Sequence, residues 1–146
     1  MSTDQAIAEQ EIRELYQAWF AASRRKDLDA SMAPISPEIV SYEHSAPLQH
    51  TDVAGLREEC RRGFDHQPED FEWTVPDLRV IIRDDVAVTW GLNRMAGRNP
   101  GGTDVVMWSR GTRIFRRVDG AWRMIHQHVS FPVDNATGAA ATGLVP

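Results

Sequence analysis

The stretch WSRGTRIFRRVDGAWRMIHQHVSF, Trp108–Phe131, decides the fold. It divides at Asp119-Gly120, a dipeptide that tolerates the positive φ angles of a two-residue hairpin turn. Before the turn, Trp108, Arg110, Thr112 and Ile114 share one face of a strand, and Arg113 and Phe115 share the other. After it, Trp122, Met124, His126, His128 and Ser130 alternate with Ile125, Gln127, Val129 and Phe131. Each face mixes large apolar side chains with polar ones, so neither is plainly turned to water. Two long strands of this kind belong in the middle of a sheet covered on both sides.

Upstream of the hairpin the period is that of strands as far back as Glu69. Phe71–Val75, Leu78–Arg83 and Val86–Met95 read as successive strands, broken at Pro76 and at Asp84-Asp85. Ala96–Gly102 (AGRNPGG) reads as a loop. It precedes a strand and not a helix, so its glycines lack the context of a phosphate-binding loop. Before Glu69 the period is helical. Ser2 and Gln5 have capping-box spacing at the start of a helix reaching about Arg25, and Ile12, Leu15, Tyr16, Trp19 and Phe20 form its apolar stripe. A short helix starts at Asp27 and stops before Pro34 and Pro37. Ile39–His44 is a short strand with Tyr42 and His44 on one face and Ser41 and Glu43 on the other. A third helix, capped at Thr51, runs to Phe64 with Val53, Leu56, Cys60 and Phe64 as its buried stripe, which makes Cys60 a packing residue.

Helices followed by a run of antiparallel strands define an α+β fold, with the helices packed in a strongly curved, cone-shaped sheet. Residues 1–132 read as one domain, and 133–146 (VDNATGAAATGLVP), poor in large apolar residues, as a disordered tail. The chain of 146 residues, 42% hydrophobic and 25% charged, can bury a core without disulfides. Its net charge of −5 disfavours nucleic acid and anionic membranes as partners. Lys26 is its only lysine and lies beside Arg24, Arg25 and Asp27, which argues against a Schiff-base mechanism. Cys60 is the only cysteine, which excludes an internal disulfide and a CxxC site. No secretory leader or membrane-length apolar run is present, as expected of a cytoplasmic protein.

The order of elements, the HTDVAGL segment after the first strand and the closing hairpin resemble the nuclear transport factor 2-like superfamily, in its SnoaL-like or ketosteroid-isomerase-homologue branch. TRIFRRVDGAWRMIHQHVS also resembles the end of the association domain of calcium/calmodulin-dependent kinase II. The resemblance spans roughly residues 7–132. It implies a cavity inside the cone, but the superfamily hosts isomerases, dehydratases, cyclases and non-catalytic binders. The aspartate base of the isomerases falls at Tyr42, next to Glu43; their oxyanion-hole tyrosine falls near Trp19, and their protonated aspartate near Thr112. In the kinase association domain, sheet arginines bind small carboxylates. Arg113 matches one of those positions, while Trp90 and Val129 stand at two others. The first comparison turns Trp108, Arg110 and Thr112 inward and the second turns Arg113 inward; a bulge in the hairpin would reconcile them.

Tyr42, His44, His126 and His128 are the candidate acid/base groups, because imidazole titrates near neutral pH and a phenol can donate. The alternative is that the two sheet histidines are hydrogen-bonded structural residues, His44 a surface residue and Tyr42 core. Trp19, Trp90, Trp108, Arg110 and Arg113 are the candidate ligand-binding residues: aromatic walls with a guanidinium to orient a carboxylate or a carbonyl. Glu43, if buried near Arg110 or Arg113, would be a base with a shifted pKa or half of a structural ion pair. No metal-ligand spacing, dinucleotide fingerprint or nucleophile elbow occurs, so no metal or cofactor is expected. Two functions are compatible with these residues. One is a cofactor-independent isomerase, cyclase or dehydratase acting on a small apolar carbonyl compound. The other is a non-catalytic domain for binding a small apolar or carboxylate-bearing molecule, or for oligomerisation. The large apolar residues on the sheet face away from the helices point to a homodimer.

Overall fold

β5 (Asp104–Val118) and β6 (Ala121–Ser130) meet at Asp119 and Gly120, whose φ angles of 51° and 79° are those of a tight hairpin turn. The computed structural model describes residues 2–146. In chain order, α1 (Thr3–Arg24), α2 (Leu28–Met32), β1 (Ile35–Tyr42), α3 (Val53–His66), β2 (Glu72–Thr74), β3 (Arg79–Arg83) and β4 (Val86–Arg98) precede the hairpin. The sheet order is β1-β6-β5-β4-β2, with β3 also paired to β4. Every pairing is antiparallel except β1 with β6. This is the expected α+β arrangement, with the helices on the concave side of a curved sheet.

The local chemistry accounts for most of the boundaries. Ser2 Oγ accepts the Gln5 N–H (3.1 Å) and Gln5 Oε1 accepts the Ser2 N–H (3.0 Å), completing the capping box of α1. Asp27 caps α2 through the Ala30 N–H. The cap of α3 is Asp52, one residue past Thr51, because its carboxylate reaches the Gly55 N–H at 2.7 Å. Pro37 lies inside β1 instead of ahead of it. β1 is an edge strand whose register against β6 slips between Ile35 and Val40, so a missing N–H is tolerated there. The Gly/Pro loop is also shorter than its composition implied. Ala96, Gly97 and Arg98 pair with β5, and only Asn99–Thr103 turn, held by the Thr103 N–H on Asn99 Oδ1.

α1 lays Ala8, Ile12, Tyr16 and Phe20 on the concave face, against Ala87, Phe115, Trp122 and Met124. Burial of each large side chain contributes about 1.5–3 kcal/mol. Tyr16 donates to Thr89 Oγ1 at 2.7 Å, and Thr89 passes its own proton to the Arg113 carbonyl, so the one phenol in the core is satisfied. Beyond Ser130 there is no further helix or strand. A bridge between Val133 and Ala140 closes a turn around Asp134, whose carboxylate accepts the Ala136 and Thr137 N–H groups. Among the described residues no helix is long and apolar enough to cross a membrane.

Candidate functional site

The inward face of β5 is the one carrying Ser109, Gly111, Arg113 and Phe115, all buried. Arg110 and Thr112 are exposed on the outer face. In β6 the alternation breaks. Ile114 pairs with His126 and Phe115 with Met124, so Ile125 is an extra residue and a bulge. Trp122 and Met124 point inward before it, and Gln127 and Val129 point inward after it. The single-parity grouping of Trp122 and Met124 with His126 and His128 is therefore corrected. The bulge sends both histidines to the outer face.

Between the concave sheet, α1 and α3 lies a cavity of about 350 Å³. Its walls are mainly apolar, with Trp19, Trp73, Leu56, Phe64 and Val129 among them. Glu43 and His44 enter it from the end of β1. Sequence alternation put them on opposite faces, but the strand ends at Tyr42, and beyond it the backbone is free to turn both side chains to the cavity.

Six polar side chains form one chain of hydrogen bonds there. Gln127 Nε2 donates to Glu43 at 3.2 Å, and Gln127 Oε1 accepts from Arg113 Nε at 2.6 Å. Arg113 Nη2 donates to Asn93 Oδ1 at 3.0 Å, an oxygen that also accepts from Trp73 Nε1 at 3.1 Å. Asn93 Nδ2 donates to Ser109 Oγ at 2.9 Å, and Ser109 Oγ lies 2.7 Å from His44 Nε2. The run starts at Glu43 and ends on its sequence neighbour. Ser109 Oγ, with two lone pairs and one proton, accepts from Asn93 and either gives its proton to His44 Nε2 or accepts one from it, according to the imidazole tautomer.

Arg113 is only 3% exposed, and Gln127 stands between it and Glu43 in place of a direct ion pair. Neutral amide oxygens and aromatic faces compensate its charge. The guanidinium carbon lies 5.1 Å from the Trp73 ring centre, 5.4 Å from Trp19 and 5.9 Å from Tyr16. Among the described residues its Nη1 makes no hydrogen bond, and Arg113 lines the cavity. Gly111 leaves room beside it, because a Cβ there would stand 3.0 Å from Arg113 Nη1 and from Asn93 Nδ2.

Burial pushes the Glu43 carboxyl above the usual carboxylate range, and the Arg113 charge only partly offsets it. His44 is held down at about 4, first by desolvation and then by Arg113. His44 stands at the exposed rim of the cavity, with its Nε2 against Ser109 Oγ. The Cys60 thiol is pushed up to about 11 by burial and by Glu43, so it stays protonated and unreactive.

Of the residues expected at the cavity, the structure brings together Trp19, His44 and Arg113. Tyr42, Trp90, Trp108, Arg110, His126 and His128 lie on the outer face of the sheet, away from it. There, Tyr42 packs edge-on against both imidazoles, and His126 Nδ1 bonds the Val40 carbonyl at 2.7 Å. Trp90 is 42% exposed, and Arg110 reaches only the Phe131 carbonyl. Sequence reasoning did not single out Asn93, Ser109, Gln127 or Trp73. Once Arg113 is taken as inward, strand pairing selects the first three, since Arg113 pairs with Gln127 and Ser109 with Asn93. No group of three or more His, Cys, Asp or Glu side chains is arranged to hold a metal ion among the described residues.

An apolar cavity inside a helix-filled cone, with a few linked polar groups at its base, defines a pocket protein of the NTF2-like fold. More specifically, the chain belongs to the SnoaL-like domain family, whose model matches residues 12–134. Among solved structures it is similar to an NTF2-like protein of unknown function from Pseudomonas putida KT2440. The two share 28% identity over 97% of this chain and 98% of that one, with a TM-score of 0.87. A protein of the NTF2-like family from Streptomyces avermitilis, described as a candidate dehydratase, is 15% identical over 86% of this chain and 97% of its own, with a TM-score of 0.76. The association domain of C. elegans CaMKII is 20% identical over 88% of this chain and 99% of its own, with a TM-score of 0.75. The last two share the fold and no more. No curated protein gives a significant match.

Proposed function

We propose that the cavity takes a small, mostly apolar carbonyl compound and moves a proton on it, as an isomerase, cyclase or dehydratase does, using side-chain acid/base groups. The observation that carries this reading is Glu43: a carboxyl with raised proton affinity, facing an apolar cavity and tied to Arg113 through Gln127. A base works best when its pKa approaches the working pH, and burial moves Glu43 in that direction. In the ionised form it would take a proton from the carbon next to the carbonyl. The electron pair left behind would move onto the carbonyl oxygen, where the Arg113 guanidinium and the N–H of His44 are the available donors. Returning the proton from Glu43 to another carbon, or to a leaving hydroxyl, completes isomerisation or dehydration.

The test is proton exchange. A panel of small aryl and alkyl ketones is incubated with the protein in deuterated water and followed by proton NMR. Loss of the α-proton signal with the natural chain, and at least a hundredfold slower loss with Glu43→Gln, is the expected result. Ketones that bind without exchanging would overturn the catalytic reading.

A second reading has its own observation. Arg113 lies at the base of an aromatic box and lines the cavity, which suits the carboxylate of a small acid held without turnover. It is joined by a second feature, a row of Trp90, Thr112, His128 and Tyr42 in register across four strands of the outer face. Covering that face with a second copy of the chain would give a homodimer.

A further inference from the structure

The concave face of the β4–β5 hairpin does not stop at the cavity. Ser109 and Asn93 face each other at its base; one step outward along the same face come Met95 and Met107, then Gly97 and Val105. These last four, with His66 and Pro68 opposite, line a groove of about 470 Å³ that is mostly apolar. Met95 and Gln67 line both the groove and the cavity, so the two spaces adjoin at those side chains. The sheet builds this extension at some cost. Gly97 lets Pro68 close against the strand, where a Cβ would stand 2.7 Å from its ring, while Val105 is left 38% exposed.

On the proposed reading of the cavity, on which this step rests, we infer that the ligand is longer than the cavity. It is an amphiphile whose carbonyl-bearing head sits by Arg113 and Glu43. Its unbranched apolar tail passes between Met95 and Gln67 and lies along Met107 and Val105. The continuity of one strand face from the polar base to the groove is what commits the groove to a tail of the same ligand. A polar base with an apolar exit matches a molecule that is polar at one end only.

Acetophenones carrying para-methyl, para-butyl and para-hexyl chains test this, with binding read from quenching of the intrinsic tryptophan fluorescence. Each methylene that reaches the groove should tighten Kd by roughly threefold. In Met107→Asp and in Val105→Asp, a milder change at a more exposed site, that gain should vanish while the para-methyl compound binds as before. Equal affinity across the series in the natural chain, or a gain that survives both substitutions, overturns the inference while leaving the cavity reading intact. If instead the substitutions change the oligomeric state seen by light scattering and not the tail increment, the groove is a contact between copies, and the inference fails. Absence of binding by every member, the shortest included, removes the cavity reading and this inference together.

Discussion

Arg113 is a buried cation with no carboxylate in direct contact, and the residues that make this tolerable also make it useful. Asn93 and Gln127 present amide oxygens, and three aromatic faces supply negative potential, while the guanidinium lines the cavity. Arg113→Ala should weaken binding of a small acid or ketone by roughly 1.5–3 kcal/mol, the loss of a charged hydrogen bond. Arg110→Ala, on the outer face, should cost no more than about 0.3 kcal/mol. Isothermal titration of both variants decides; equal small effects would remove Arg113 from ligand recognition. The two titrating groups act in opposite pH windows. Glu43 has a higher proton affinity folded than unfolded, so the stability it contributes is complete below its ordinary value of 4.5 and is lost as pH rises through the raised one. Glu43→Gln should therefore melt higher than the natural chain at neutral pH and lose that advantage in acid. His44 is depressed from 6.5 to about 4, so its contribution is complete above 6.5 and is lost as pH falls through 4. His44→Gln should blunt the fall in melting temperature across that interval. Thermal melts from pH 3.5 to 8 would show both slopes, and a reversed sign for either would refute its assignment.

At the scale of elements, the bulge at Ile125 decides which side chains of β6 reach the interior. Without it, continuing the parity of Trp122 and Met124 would bring His126 and His128 inside and turn Gln127 and Val129 outward. Deleting Ile125 removes the extra residue and leaves Met124, Gln127 and Val129 inward in regular alternation, so that variant should keep its fold and its polar network. Ile125→Ala keeps the backbone count and trims only a half-buried side chain, so it should cost about 1–2 kcal/mol at most. Comparing the two by circular dichroism and urea unfolding separates the backbone role of this residue from its packing. A deletion variant that fails to fold, beside a folded alanine variant, would show that the bulge itself is needed and not only the inward parity it sets. The end of β1 has a similar influence. Because pairing stops at Tyr42, Glu43 and His44 need not alternate, and both enter the cavity.

At the scale of the whole molecule, the concave face is filled by helices and the cavity, and the convex face is open. Trp90 is 42% and Tyr42 37% exposed there, in a sheet whose centre carries Val88, Leu92 and Ile114 on the same side. Apolar area of this kind on a sheet is normally covered. Light scattering at micromolar concentration should report a dimer, and Trp90→Asp should shift it to monomer with the circular dichroism spectrum unchanged. A strict monomer for the natural chain would leave the face without the proposed role.

The helices, the strand sequence, the Asp119-Gly120 turn and the α+β class were legible in the sequence because each rests on local chemistry. Helical spacing of Ile12, Tyr16, Trp19 and Phe20, a capping box at Ser2 and Gln5, and a dipeptide suited to positive φ all act within a few residues. The cavity was legible only in part. Trp19, His44 and Arg113 were foreseen, but Tyr42, His126 and His128 fell on the opposite side of the sheet. Inward and outward are properties of pairing. One inserted residue in β6 and one strand end at Tyr42 reverse the assignment of several side chains, and neither leaves a mark in composition or period. The link from Glu43 through Gln127, Arg113, Asn93 and Ser109 to His44 joins the three neighbouring strands β4, β5 and β6 to the sequence-distant loop after β1. Only the tertiary structure could bring those groups within hydrogen-bond distance and bury them enough to change their protonation.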